Sequence, residues 1–221
     1  MAEEKGVKLL DFCSNPFGQQ CRIALAEKGV EYECLELNLS DRSELLLKLN
    51  PVYKRTPALF HDGKTVRESL VIVEYIDEVW HGKSSILPSD PYERAKARFW
   101  ADYVNQQFFE CGTRLWRKKG KALQEAKEEF IQILKALEAE LGDKKYFGGD
   151  AFGLVDIALV PFTSWFYSYE TLAGFSVEQE SSKLVAWAKR CLERESVAKS
   201  LHDPKSIYEF VEYLRKMYGV E

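Results

Sequence analysis

Cys13, Ser14 and Asn15 place a thiol, a hydroxyl and a carboxamide on three consecutive residues, directly ahead of Pro16-Phe17. They lie between an apolar strand expected over Lys8 to Phe12 and a helix expected over Pro16 to Lys28. A strand running into the first turn of a helix aims free backbone N–H groups and the positive end of the helix dipole at whatever sits in front of it. That environment favours a thiolate or another anion. The chemistry then depends on which side chain faces the anion. The Ser14 hydroxyl can donate one hydrogen bond and the Asn15 carboxamide two, while Cys13 offers a sulfur of its own.

The rest of the composition narrows the partners. A chain of 221 residues, 46% hydrophobic and 30% charged, suits a globular protein with two modest cores. A net charge of −4 and a pI near 5.6 give no overall basic footprint for nucleic acid. The one basic cluster, Arg114 with Arg117-Lys118-Lys119 and Lys121, reads as a solvated helix end. No stretch approaches the roughly 18 unbroken apolar residues of a membrane span, and the apolar run after Met1-Ala2-Glu3-Glu4-Lys5 is too short for a signal peptide. A cytoplasmic protein with neither a nucleic-acid nor a membrane partner is expected. The five cysteines include no Cys-x-x-Cys pair, so neither a disulfide framework nor a zinc site is expected, and most should be reduced and partly buried. His61, His81 and His202 lie far apart, without a second ligand at helical spacing, and no metal is expected.

Along the chain, the first 80 or so residues alternate between strand and helix signals. Lys28-Gly29 ends the first helix with a basic last turn and a glycine placed for the left-handed cap. Val30, Tyr32 and Cys34 alternate with Glu31, Glu33 and Leu35 in a second strand. Asp41-Arg42-Ser43-Glu44 reads as a capping box for a short helix over Ser43–Asn50, stopped by Pro51. Ala58–His61 and Lys64–Val66 flank Asp62-Gly63, a pair that supplies the positive φ angles of a tight hairpin turn. A helix over Glu68–Trp80 closes a βαβαββα unit, an α/β domain of thioredoxin type spanning residues 1–81.

Residues 82–90 read as a linker, and residues 91–221 as an all-helical bundle domain. Asp90-Pro91-Tyr92-Glu93 is a strong start signal for a helix running to about Lys118. Ala122–Leu141 carries Phe130, Leu134, Leu137 and Leu141 on one face. Gly153-Leu154-Val155-Asp156 opens an apolar helix through Trp165, expected at the centre of the bundle, with Asp156 accepting from the Gly153 N–H. Helices over Ser182–Arg194 and Ser206–Tyr218 complete the expected elements.

These residues carry a resemblance. Pro16-Phe17, the run Arg22 to Gly29, Asn50-Pro51-Val52, Thr56-Pro57-Ala58-Leu59, Glu68-Ser69-Leu70, Glu74-Tyr75-Ile76-Asp77, Tyr146-Phe147-Gly148-Gly149-Asp150 and Val155-Asp156-Ile157-Ala158 resemble a plant glutathione transferase of the tau class, in order and without gaps. The resemblance implies a cytosolic homodimer that uses glutathione as co-substrate and no cofactor. It implies that Glu68 and Ser69 hold the γ-glutamyl end, at the N-terminus of the third helix. It further implies a cis Thr56–Pro57 bond, with the Thr56 backbone pairing with the cysteinyl unit as an added strand. By the same resemblance, Arg42 and Arg55, with Lys54, are placed to hold the glycyl carboxylate, and Phe17, Leu37, Phe109, Thr113, Trp116, Trp165 and Phe210 are expected to line an apolar acceptor site. Trp116, set among Arg114, Arg117 and Lys118, sits in an unusual neighbourhood for deep core.

The opening segment departs from the family. The tau-class residue before Pro-Phe is normally Ser, whose hydroxyl lowers the pKa of the glutathione thiol; here it is Asn15, with Ser14 one place early. The expected function is conjugation of glutathione to apolar electrophiles, with peroxidase activity a companion. Thiol activation is then weakened, or kept if an Asn15 N–H or the Ser14 hydroxyl reaches the sulfur. Two alternatives stand beside it, a non-catalytic ligandin and a thioltransferase using Cys13, although Cys13 reads more simply as a packed thiol.

Overall fold

A computed structural model describes residues 6–37, 44–81 and 85–220. The chain divides between Leu87 and Pro88 into two compact units.

The first unit holds four strands, β1 (Val7–Asp11), β2 (Glu33–Glu36), β3 (Ala58–His61) and β4 (Lys64–Arg67), in the order β2-β1-β3-β4. β1 and β2 are parallel, and the other two pairings are antiparallel. The parallel step needs a crossover, supplied by α1 (Pro16–Lys28), while α2 (Glu44–Leu49) precedes the β3–β4 hairpin and α3 (Ser69–Val79) follows it. Leu9 and Leu10 point to opposite faces of β1 and both are buried, so the sheet is covered on both sides. Leu10 packs with its register partner Ala58 and with Leu46 of α2.

Local chemistry sets the ends of these elements. Asn15 caps α1 and Pro16 is its first residue; Gly29 closes it at φ 66°, with the Val30 N–H returning 2.9 Å to the Leu25 carbonyl. Asp62 and Gly63 both have positive φ, 44° and 79°, as the hairpin requires. The second strand is shorter than the alternation suggests and begins at Glu33, where pairing with Lys8 of β1 starts. Of the expected capping box, Asp41-Arg42-Ser43 lies outside the described residues.

Beyond α3, Asp77 fixes the chain. It accepts from Ile86 N (2.9 Å), Leu87 N (3.0 Å) and Ser85 Oγ (3.2 Å), and pairs with Lys28 Nζ at 2.6 Å. Although burial works against it, these N–H groups and the Lys28 ammonium hold its carboxyl below the usual value. The sign follows: the stability this gives is fully present above the unfolded-state value of about 3.9 and is lost as pH falls through the lower folded-state value. Asp77→Asn is therefore expected to lower the melting temperature clearly at pH 7 and less at pH 3, below the unfolded-state value. An equal loss at both would contradict this assignment.

The second unit is helical. Its elements are α4 (Pro91–Tyr103), a π-helical turn (Val104–Phe108), α5 (Phe109–Arg117), α6 (Gly120–Leu141), α7 (Leu154–Leu159), a 3-10 segment (Val160–Trp165), α8 (Phe166–Ala173), α9 (Val177–Glu180), α10 (Ser182–Leu192), α11 (Glu195–Ala198) and α12 (Pro204–Met217). Three expectations are corrected. The long first helix is interrupted by the π-helical turn. The central helix ends at Leu159 because Pro161 has no N–H to continue the ladder, and the chain tightens into 3-10 form before resuming as α8. The last helix starts at Pro204, capped by Asp203 through the N–H groups of Lys205 (3.0 Å) and Ser206 (3.1 Å).

Every residue of α7 is buried. Asp156 accepts from Gly153 N at 2.9 Å, as expected, and also from Phe147 N at 3.1 Å and Trp187 Nε1 at 2.8 Å. Burial pushes its carboxyl up to about 6 against the pull of those three donors.

Candidate active site

The start of α1 is built on a buried carboxylate. Asp11, the last residue of β1, is fully buried; its Oδ2 meets Arg22 Nη2 at 2.8 Å and its Oδ1 accepts from Asn15 Nδ2 at 2.7 Å. Burial pushes this carboxyl up to about 6, opposed by the Arg22 guanidinium and the Asn15 N–H. Space for it exists because residue 18 is glycine: a Cβ there would lie 1.6 Å from Asp11 Oδ2.

These contacts fix the Asn15 amide. Its oxygen accepts from Phe17 N at 3.2 Å, and its nitrogen donates to Asp11 and, at 3.3 Å, to Thr56 Oγ1. Reversing the amide would set oxygen against carboxylate and N–H against N–H, so the orientation follows from its neighbours. Asn15 is 3% exposed, and both of its donors are engaged within the protein. Ser14 is half-buried, and its hydroxyl has no hydrogen-bond partner among the described residues.

Thr56 joins this corner to the rest of the expected site. The Thr56–Pro57 peptide bond is cis, and no backbone hydrogen bond engages the Thr56 N–H or C=O among the described residues. The loop before it is ordered by fully buried Asn50, which donates to the Arg55 carbonyl at 2.9 Å and accepts from Tyr53 N at 3.2 Å. Ala58 pairs with Arg67, so Thr56-Pro57 and Glu68-Ser69 emerge at the same end of the β3–β4 hairpin. Glu68 is exposed at φ 67°, a region rarely adopted by residues other than glycine, and its side chain makes no capping bond. Ser69 is buried as the first residue of α3, and its carbonyl faces Cys21 Sγ of α1 at 3.9 Å. Arg55 is exposed, and Arg42 lies outside the described residues.

Asn15, Thr56, Pro57, Glu68 and Ser69 thus converge on one end of the sheet. Asp11 and Arg22, the foundation of that corner, are not among the residues expected from sequence. Cys13 corrects the expectation of a packed thiol: it is exposed, in the turn beyond β1. Cys34 is also exposed, while Cys21, Cys111 and Cys191 are buried. Among the described residues, no group of three or more His, Cys, Asp or Glu is arranged to hold a metal.

The residues expected to line the acceptor site belong to both units. Phe17 and Leu37 of the first are half-buried, and Leu37 packs against the Leu10–Leu46–Ala58 cluster. In the second unit, the Trp165 ring lies 6.2 Å from Phe210 and the Phe109 ring 6.2 Å from Phe162. Phe109 is exposed, Thr113 and Phe210 are half-buried, and Trp165 is buried, with its indole N–H unpartnered among the described residues. Cationic neighbours do not keep Trp116 out of the core, for it is 6% exposed. Arg117 instead turns outward over Tyr218, 4.3 Å from the ring centroid, and Arg215 donates to the Trp116 carbonyl at 2.7 Å.

Comparison with known proteins adds an independent line. Residues 5–78 match the family described as glutathione S-transferase, N-terminal domain, and residues 95–195 match glutathione S-transferase, C-terminal domain. The chain is 60% identical over 218 residues to probable glutathione S-transferase parA of Nicotiana tabacum, covering 99% of each. It is 55% identical over 221 residues to glutathione S-transferase U19 of Arabidopsis thaliana, covering 100% of each. A crystal structure of rice GST1 (OsGSTU1) in complex with glutathione superposes with a TM-score of 0.94 at 51% identity, over 98% of this chain and 99% of that one. A tau-class glutathione S-transferase from mango, Mangifera indica, superposes with a TM-score of 0.90 at 37% identity, over 95% and 98%.

Proposed function

Because the chain belongs to the glutathione S-transferase family, in its tau class, we propose that it joins the sulfur of glutathione to an electrophilic carbon of an apolar compound. The cysteinyl S–H gives its proton to solvent, the thiolate forms a C–S bond, and the leaving group departs with its bonding pair. With a hydroperoxide, the thiolate attacks the terminal oxygen and releases the alcohol, and a second glutathione completes the disulfide and water. No resident cofactor takes part.

The observation that supports this reading most directly is the convergence of the Asn15-capped start of α1, the Thr56 backbone and the start of α3 at one end of the sheet. Two helix starts beside a strand-like backbone unpaired among the described residues suit a γ-glutamyl-cysteinyl-glycine tripeptide, which carries anionic groups and an extended peptide unit. The start of α3 takes the γ-glutamyl carboxylate and Glu68 the ammonium group. The Thr56 N–H and C=O pair with the cysteinyl backbone, and Arg55, with Arg42, takes the glycyl carboxylate. Phe17, Leu37, Phe109, Thr113, Trp116, Trp165 and Phe210 remain the proposed apolar contacts of the acceptor. Among the described residues no helix is long and apolar enough to cross a membrane, and we place the protein in the cytoplasm as a homodimer.

Purified protein mixed with glutathione and an aryl halide is expected to form the thioether, detected by mass spectrometry, at a rate that saturates in both substrates. Glutathione binding in calorimetry without thioether formation would reduce the protein to a ligandin and overturn the reading. Light scattering at the mass of a single chain would overturn the dimer.

A further inference from the structure

The structure places one hydroxyl of the corner under the control of the others. Asn15 Nδ2 donates to Thr56 Oγ1, so the single hydroxyl proton of Thr56 is turned away from Asn15, and no acceptor takes it among the described residues. Thr56 is half-buried, and it bears the backbone proposed to pair with the cysteinyl unit. The chain of contacts runs from Arg22 to Asp11, to Asn15, to Thr56. Each step fixes the direction of the next, because a carboxylate only accepts, and the Asn15 oxygen is already committed to the Phe17 N–H.

We propose that the Thr56 hydroxyl is the group that donates a hydrogen bond to the thiolate of glutathione, with Asn15 and Asp11 as the positioning residues that hold it. The proposal rests on the transferase reading above and names the donor within that site. Two physical points favour Thr56 over Ser14. A hydroxyl that accepts a hydrogen bond becomes a stronger donor through polarisation. A hydroxyl whose proton is already barred from one direction also has fewer orientations to give up when charge appears on the sulfur. Ser14 has neither advantage, since nothing among the described residues fixes its hydroxyl. Asn15 cannot donate directly without giving up its bond to Thr56, because its other N–H is held by the buried Asp11 carboxylate.

The test is a pH titration of the ultraviolet absorbance of the glutathione thiolate bound to the full-length protein, with glutathione affinity followed by calorimetry. Thr56→Val keeps the shape and removes the hydroxyl. It is expected to raise the pKa of the bound thiol by about one unit, a tenfold loss of thiolate below that pKa. kcat should fall more than KM for glutathione rises. Thr56→Ser should restore the native value, and Thr56→Ala serves as a second hydroxyl-free variant should the Val form fail to fold. In an Asn15→Ala background, Thr56→Val should shift the pKa less than it does alone, because the hydroxyl is no longer held; additive shifts would overturn the positioning role. An unchanged thiol pKa in Thr56→Val, with a rise in Ser14→Ala, would overturn the proposal and assign the donor to Ser14. If instead the unaltered protein binds glutathione without lowering its thiol pKa, the transferase reading itself fails, an outcome distinct from the others.

Discussion

Asp156→Ala is expected to destabilise the helical unit by about 3–5 kcal/mol, because it leaves three N–H donors, two of them buried, without an acceptor. The donors come from three separate places: the Gly153 N–H at the start of α7, the Phe147 N–H in the loop after α6, and the Trp187 indole N–H on α10. Asp156 is itself fully buried, so bulk water does not reach its position in the native fold. For a chain of this size the loss corresponds to a fall in melting temperature on the order of 10 °C. Denaturant unfolding at constant slope is the direct check, and an unchanged midpoint would contradict it. Asp156→Asn keeps one acceptor oxygen but turns an N–H group toward a donor, so its loss should be smaller, about 1–3 kcal/mol. A pH signature distinguishes this carboxyl from a merely space-filling one. Its folded-state value of about 6 lies above the ordinary one, so from about pH 4 to 6 the folded chain holds a proton that the unfolded chain has released. The stability contributed by this group therefore falls as pH rises through that window, and the Asn variant should lack that slope.

The devices that ended elements were legible because each is a local backbone requirement. Lys28-Gly29, Asp62-Gly63, Asp90-Pro91 and Gly153 with Asp156 occupy the positions their turn and cap chemistry demands. The π-helical turn at Val104–Phe108 was not legible, because Ala101, Val104, Phe108, Cys111 and Leu115 are all buried at spacings of three and four, the pattern of an unbroken helix. Nor was α8: the apolar run through Pro161 reads as one helix unless the missing N–H of Pro161 is given weight. At the site, resemblance reached the residues proposed to meet the tripeptide, but not those that hold them. Asp11 reads as a charged end on an apolar strand, and charged residues at strand ends are ordinarily solvated. Its burial becomes visible only when Gly18 and Arg22, one helical turn apart, are brought over it by the parallel crossover. A glycine and an arginine at that spacing, after a strand ending in aspartate, were the available signal. The expectation for Cys13 failed because the burial preference of free cysteine describes cores, and residue 13 lies in a turn past the end of the sheet.

Gly18→Ala is expected to cost about 3–5 kcal/mol and to reduce conjugation at least tenfold, opposite to what the same change does in most helix interiors. Replacing a mid-helix glycine by alanine ordinarily stabilises by about 0.5–1 kcal/mol. Here the added Cβ would lie 1.6 Å from Asp11 Oδ2 and 2.0 Å from Cγ. The Asp11 backbone is tied into the sheet, where its carbonyl accepts from Leu37 N at 2.8 Å, so the side chain must give way. Its carboxylate then loses Asn15 Nδ2, Arg22 Nη2 or both, leaving charge unpaired in a buried site. Through Asn15 the disturbance reaches Thr56 Oγ1, and the pKa of the bound thiol should rise together with the loss of stability. Removing the carboxylate separates the clash from a general effect on α1. In an Asp11→Ala background the obstructing atoms are gone, and Gly18→Ala should there be neutral or return the ordinary 0.5–1 kcal/mol or so of a helix interior. A Gly18→Ala penalty that persisted undiminished in that background would place its cause elsewhere than at Asp11. A penalty that disappears would make Gly18 the residue that admits a buried carboxylate to the start of α1.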